Sequence, residues 1–135
     1  MDKIKLNSFN LTMLEGKITG LTHQVNVTVD GDGVEHKKDE TKFMLIFYHA
    51  GKPKMGKVTY YTSSMSVTFY GLPAIRVLTK FRNNDWILVQ GHLRQHESGK
   101  YKLVGVHIDF TDPVWININP SDIKESTNGS EEAEG

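Results

Sequence analysis

The chain contains no cysteine, which removes disulfides, thiol nucleophiles and thiolate-bound zinc from consideration. A reducing compartment is compatible with that, and cytoplasmic residence is the expectation. No apolar run is long enough to span a bilayer, and the opening MDKIKLNSFN lacks the apolar core of a signal peptide. The sequon matches at Asn10, Asn26 and Asn128 therefore carry no expectation of glycosylation. Glycine-rich phosphate loops, G-x-S-x-G and a Ser-His-Asp order are also missing. His92 and His96 are four apart, but at a strand end and in a turn, where that spacing does not put both on one face. Asp109 and Asp112 sit at a strand exit and read as solvated carboxylates. No metal, cofactor or enzymatic activity is expected.

An excess of one charge is missing too, since 16 basic and 16 acidic residues cancel. The distribution is uneven, however. Residues 112–135 carry six acidic residues against Lys124, while residues 1–111 carry 15 basic against 10 acidic. A mildly basic body is followed by an acidic tail. With 38% hydrophobic and 24% charged residues over 135 positions, one soluble domain with a modest core is expected.

What the chain does have is alternation of period two. Residues 9–29 read as one long first strand interrupted at Gly16, with Val25, Val27 and Val29 on one side. Asp30-Gly31-Asp32-Gly33 is a turn, and the polar run up to Thr41 is expected to be a mobile hairpin loop. Lys42 to His49 is a second strand whose faces, Phe43-Leu45-Phe47 and Met44-Ile46-Tyr48, are both apolar or aromatic. One must be core; the other needs a partner. Ala50 to Lys57 forms a flexible loop with Lys52, Lys54 and Lys57, followed by Val58, Tyr60 and Tyr61. Lysines interleaved with rings suit phosphates and stacked bases.

Ser66 to Leu93 organises the rest. Val67 and Phe69 alternate with Ser66, Thr68 and Tyr70, and then Gly71 and Pro73 open a short helix. That helix has an apolar side of Ala74, Ile75, Leu78 and Phe81. Asn83-Asn84-Asp85 ends it, and Trp86 to Leu93 is a strand with Ile87, Val89 and Leu93 inward. Tyr101 to Phe110 is a fifth strand, with Val104, Val106, Ile108 and Phe110 on one side. Val114, Ile116 and Ile118 allow one more short strand or clasp. Residues from Pro120 onward are nearly free of apolar side chains and are expected to be disordered. An all-β, five-stranded OB-fold barrel with one short helix between strands 3 and 4 accounts for this order. The expected division is a barrel domain over 1–112 and an acidic, mostly disordered tail over 113–135.

Val67-Thr68-Phe69-Tyr70-Gly71-Leu72-Pro73-Ala74 resembles the strand-to-helix signature of bacterial and phage single-stranded DNA-binding proteins (SSBs). Ile87-Leu88-Val89-Gln90-Gly91-His92-Leu93-Arg94 resembles their fourth strand, and Asn7 with Gly16-Lys17-Ile18 their opening motif. The resemblance spans about residues 7–110. It implies an OB barrel that assembles into homo-oligomers, dimers or tetramers, and binds single-stranded DNA by stacking and phosphate contacts. Tyr70 matches the family's stacking aromatic, whereas two family tryptophans fall at Ser64 and near Ser98. The chain ends acidic but without the family's terminal phenylalanine, a divergence that fits a phage- or plasmid-encoded member. Replication or recombination proteins remain possible partners, and no membrane is implied.

The expected DNA contacts are stacking from Tyr48, Tyr60, Tyr61, Tyr70 and Trp86, and phosphate neutralisation by Lys52, Lys54, Lys57, Arg94 and Lys100. The competing readings are a single-stranded RNA binder and an OB protein-interaction module using Met44, Ile46 and Tyr48.

Overall fold

The computed structural model describes residues 3, 11–95, 97–112, 115 and 120–125. Among these, six strands and one α-helix follow in order: β1 (Thr12–Val29), β2 (Glu35–Ala50), β3 (Tyr60–Tyr70), α1 (Leu72–Lys80), β4 (Trp86–Gln95), β5 (Tyr101–Phe110) and β6 (Ile123–Glu125). β1 pairs antiparallel with both β2 and β4, β2 with β3, and β4 with β5. A short parallel ladder between β3 and β5 completes the circle β1-β2-β3-β5-β4. This is a closed five-stranded OB barrel with its helix between strands 3 and 4, as the residue pattern predicts. No described helix is long and apolar enough to cross a membrane.

One strand can serve two neighbours only if it turns between them. Thr12–Lys17 pair with β4, and from Lys17 onward β1 pairs with β2. Gly16 sits at that junction. A Cβ there would lie 2.5 Å from the Ile46 carbonyl oxygen, so only glycine lets the two backbones approach. Inside, Ile18, Phe43, Leu45, Val67, Phe69, Ile87, Val89 and Leu103 are almost fully buried. Val67, Phe69, Ile87 and Val89 are core, as their alternation predicts.

α1 closes the end of the barrel. Its buried side is Ala74 and Val77, continued by Phe81 at the C-cap. The expected Leu78 and Ile75 instead stand 40% and 39% exposed, because positions 74, 77 and 81 line up on the inward side. Thr41 Oγ1, fully buried, donates to the Ala74 carbonyl at 2.7 Å and ties the helix to β2.

Three expectations change. The polar run before Thr41 is strand rather than loop: the β1–β2 ladder continues out to Val29–Glu35 as a ribbon projecting from the barrel. Both ribbon faces are largely solvated, so no apolar alternation is needed on β2. A braced turn holds its tip. Asp30 Oδ1 accepts from the amides of Asp32 (2.9 Å) and Val34 (3.0 Å), and Oδ2 pairs with His36 Nε2 at 2.9 Å. The His36 contact, then the Val34 amide, hold the Asp30 carboxyl below its ordinary 3.8. Its contribution is therefore complete above that value and lost as pH falls through the lowered one.

The second change is in β5, where Leu103 is the core residue and Val106 is 58% exposed. Gln90 pairs with His107 but Gly91 with Gly105, so Val106 is a bulged extra residue that breaks the alternation. Gly105 takes the inward place beneath the Phe69 ring, where any Cβ would overlap it.

The third is in the tail, expected to be disordered from Pro120. Residues Pro120–Asp122 form a 3-10 turn, and β6 pairs parallel with Tyr60–Thr62. The open edge of β3 offers backbone partners that the side-chain composition does not reveal. The possible clasp of Val114, Ile116 and Ile118 lies outside the described residues, as do Phe9 and Asn10.

Gly105→Ala is expected to lower stability by about 2 kcal/mol, the range for overpacking a filled core. Urea unfolding checks this; an unchanged midpoint would contradict the Phe69 packing.

Candidate functional site

Residues paired across a ladder point to the same side, so the outer face of β2, β3 and β5 follows from the register. Lys42 faces Thr68, Met44 faces Ser66, Ile46 faces Ser64 and Tyr48 faces Thr62. β5 adds Lys102 beside Ser66. The middle strand thus presents four small hydroxyl side chains in a row. Larger side chains rise on both flanks: Lys42 and Met44 from β2, and Tyr101 and Lys102 from β5 with Lys100 just before it. The result is a cleft of about 1130 Å³, with Ser64, Ser66 and Thr68 among its lining. Ser98 of the β4–β5 turn lines it as well. The resemblance places one tryptophan at Ser64 and another near Ser98. Here the serines leave open space where rings would stand.

Tyr70 closes β3 at one end of this face. Lys102 Nζ, part of the cleft wall, donates to Tyr70 Oη at 3.0 Å and lies 5.6 Å from the ring centroid. Lys38 Nζ, from the ribbon, lies 5.1 Å from the same centroid. An electron-rich ring face with two ammonium groups in range is a cation–π site, and those cations are also placed for phosphate. Lys42 adds a third and sits 3.3 Å from Glu40 Oε2.

The sequence-predicted residues divide into groups. Lys100 lines the cleft with Lys102. Arg94, exposed on β4, is the cross-strand partner of Lys102 and emerges on the same side. Lys52, Lys54 and Lys57 are exposed on the β2–β3 hairpin, whose tip is a tight turn. The Lys54 and Lys57 backbones bond reciprocally at 2.8 and 2.9 Å, with Met55 and Gly56 both at positive φ. Tyr48 is 46% exposed and Tyr60 half-buried, both on the outer side of the β2–β3 ladder.

Two of the expected rings are elsewhere. Tyr61 points inward at 5% exposure and stacks on His49 with centroids 5.6 Å apart, so it is packing. It belongs to β3 from its first turnless residues, not to a flexible loop, and the alternation sends it to the opposite face from Tyr60. Trp86 pairs with Lys17 of β1 and meets Trp115 edge-on at 5.4 Å, on a surface that does not include the cleft.

Sequence reasoning missed Lys38, Lys42 and Lys102. Lys38 lay in the supposed loop, and Lys102 reaches Tyr70 only through the parallel β3–β5 pairing, which no local pattern encodes. Among the described residues no group of three metal-ligating side chains comes together.

Solved structures share this fold. A Plasmodium falciparum SSB in complex with ssDNA superposes with a TM-score of 0.54 at 17% identity, covering 81% of this chain and 100% of that one. The SSB domain of a Synechococcus protein gives 0.52 at 15%, covering 77% and 98%. This chain has the OB fold of SSB domains. PriB from Ralstonia solanacearum shares the fold as well, with 0.51 at 10% identity over 78% and 100% of the two chains. By sequence alone, no family model and no curated protein matches.

Tyr48 and Tyr61 give a direct check on the two faces of the barrel. Tyr61→Ala is expected to cost about 3 kcal/mol of stability, as for a large core truncation, and Tyr48→Ala less than about 0.5. Equal urea midpoints for the two variants would contradict their assigned faces.

Proposed function

We propose that the protein binds single-stranded DNA with little sequence preference, protecting it during replication, recombination or transfer, without catalysing a reaction. The observation that carries this is the cleft itself: a hydroxyl floor, lysine walls and a tyrosine at its end. Lys42, Lys100 and Lys102, with Lys38 and Arg94 beyond the rim, supply a phosphate contact that depends on salt. Tyr70 offers a ring that any base can stack on, and Tyr48 and Tyr60 extend that surface along the ladder. Lys52, Lys54 and Lys57 continue the basic track along the hairpin. The SSB structures that share the fold support the reading, one of them being a complex with ssDNA. Assembly into a homo-oligomer belongs to the same proposal.

The tail has a part in it. β6 starts the tail on the β3 edge at Tyr60–Thr62, beside the hairpin lysines, and Glu131, Glu132 and Glu134 follow. Those carboxylates compete with phosphates for the same cations. Truncation after Glu125, which keeps β6, is expected to tighten binding at low salt; unchanged or weaker binding would remove the tail from the mechanism.

Titration of labelled oligo-dT, read by anisotropy across a salt series, tests binding itself. Affinity should fall steeply with salt, and Lys100→Ala or Lys102→Ala should each reduce the log–log slope by about 0.7. Tyr70→Ala should cost about 1–3 kcal/mol of binding while leaving the oligomer intact. Affinity indifferent to salt, or a Tyr70→Ala variant that binds normally, would contradict the proposal. Competition by oligo-U separates DNA from RNA preference.

A further inference from the structure

Next to the cleft, beside Lys42 and Tyr70, lies one group that a purely cationic, sequence-blind surface does not need. Glu40 lies on β2 two residues before Lys42, on the same outer side, directly across the ladder from Tyr70. It is only 6% exposed. Its Oε1 accepts from Asn26 Nδ2 at 3.4 Å. Its Oε2 is shut off from solvent and makes no hydrogen bond to any described residue. Lys42 Nζ stands 3.3 Å from that oxygen, in ion-pair range but without hydrogen-bonding geometry, on a side chain that is itself 51% exposed. A buried acceptor without a donor is uncommon and costs stability.

We propose that Glu40 is a base-discriminating residue: its Oε2 accepts a hydrogen bond from an amino group on the base stacked at Tyr70, so that subsite favours amino-bearing bases over thymine. The inference rests on the single-stranded DNA reading of the cleft. When Lys42 turns to a backbone phosphate, its ammonium leaves Oε2, and the edge of a base stacked at Tyr70, directly across the ladder, is placed to satisfy the oxygen. Cytosine presents the N4 amino group, adenine N6, and guanine the adjacent N1 and N2 donors. Thymine presents the O4 carbonyl and a single N3–H flanked by two carbonyls, which repel a carboxylate. The discrimination arises at one position of the bound strand, so the remaining contacts stay indifferent to sequence.

Homopolymers place the same base at Tyr70 in every register, so the test uses them. Oligo-dC is compared with oligo-dT, and with an oligomer of the pyrimidin-2-one nucleoside, which is cytosine lacking its amino group. Wild-type protein is expected to bind oligo-dC about tenfold tighter than the pyrimidinone oligomer. In Glu40→Gln the amide oxygen stays with Asn26 and an NH2 takes the place of Oε2. The dC-to-dT affinity ratio should then fall by about tenfold, because O4 of thymine now has a donor. Equal binding of dC and the pyrimidinone oligomer by the wild type would overturn the proposal, and that arm needs no variant to fold. A Glu40→Gln protein with a native melting profile whose affinity rises equally for dC and dT would overturn it too, as the loss of a negative charge alone has that effect. If every oligomer binds and none is preferred, only the role of Glu40 falls. If none binds, the single-stranded DNA reading falls with it.

Discussion

The parallel pairing of Ser66–Thr68 with Lys102–Val104 is the contact on which the rest depends. Without it the five strands would form one open sheet, β3-β2-β1-β4-β5, with two free edges. With it the sheet closes, and closure decides which side chains share the outer surface. Lys102 comes to lie beside Ser66 and within reach of Tyr70, although 32 residues separate the lysine from the tyrosine. Closure also sets the inner surface, where Val67 meets Leu103 and Phe69 covers Gly105. A three-residue seam therefore serves the core and the cleft together. This is economical for a domain of this size, in which most contacts are non-local.

Irregularities in the ladders are placed where the barrel needs them. Gly16 lets β1 pass from one neighbour to the next, and the Val106 bulge reverses the phase of β5 where that strand meets β4. Each disrupts alternation locally and keeps it globally. The same logic explains the ribbon. Beyond the barrel β1 and β2 have no third layer to pack on, so Val25, Val27 and Val29 remain 49–64% exposed while the backbone ladder and cross-strand polar contacts such as His23–Asp39 hold the strands. The ribbon's other side delivers Lys38 to Tyr70, so an element with little core of its own still contributes to the cleft.

The charge distribution has a comparable division. Net charge is zero, yet the cations at the cleft come from β2, β5 and the ribbon, while acidic residues concentrate after residue 111. Local field, not net charge, governs contact with a polyanion. Glu40 is the exception, a carboxylate beside Lys42, across the ladder from Tyr70, and shielded from water. Its position gives the surface an acceptor amid donors.

Much was decided by order along the chain. The strands, the helix after Gly71-Pro73 and the inward places of Val67, Phe69, Ile87 and Val89 follow from period, glycine and proline, because those patterns act over a few residues. So does the OB order of elements, and with it the outward place of Tyr70 and Lys100. Tertiary structure alone decided that Tyr61 is filler, that Trp86 belongs to another surface, that Lys38 and Lys102 meet at Tyr70 with Lys42 in the cleft wall, and that residues 123–125 add a strand. These depend on which backbone edges meet across tens of residues. A pattern of period two says only that a side chain points one way or the other, and not what stands opposite it.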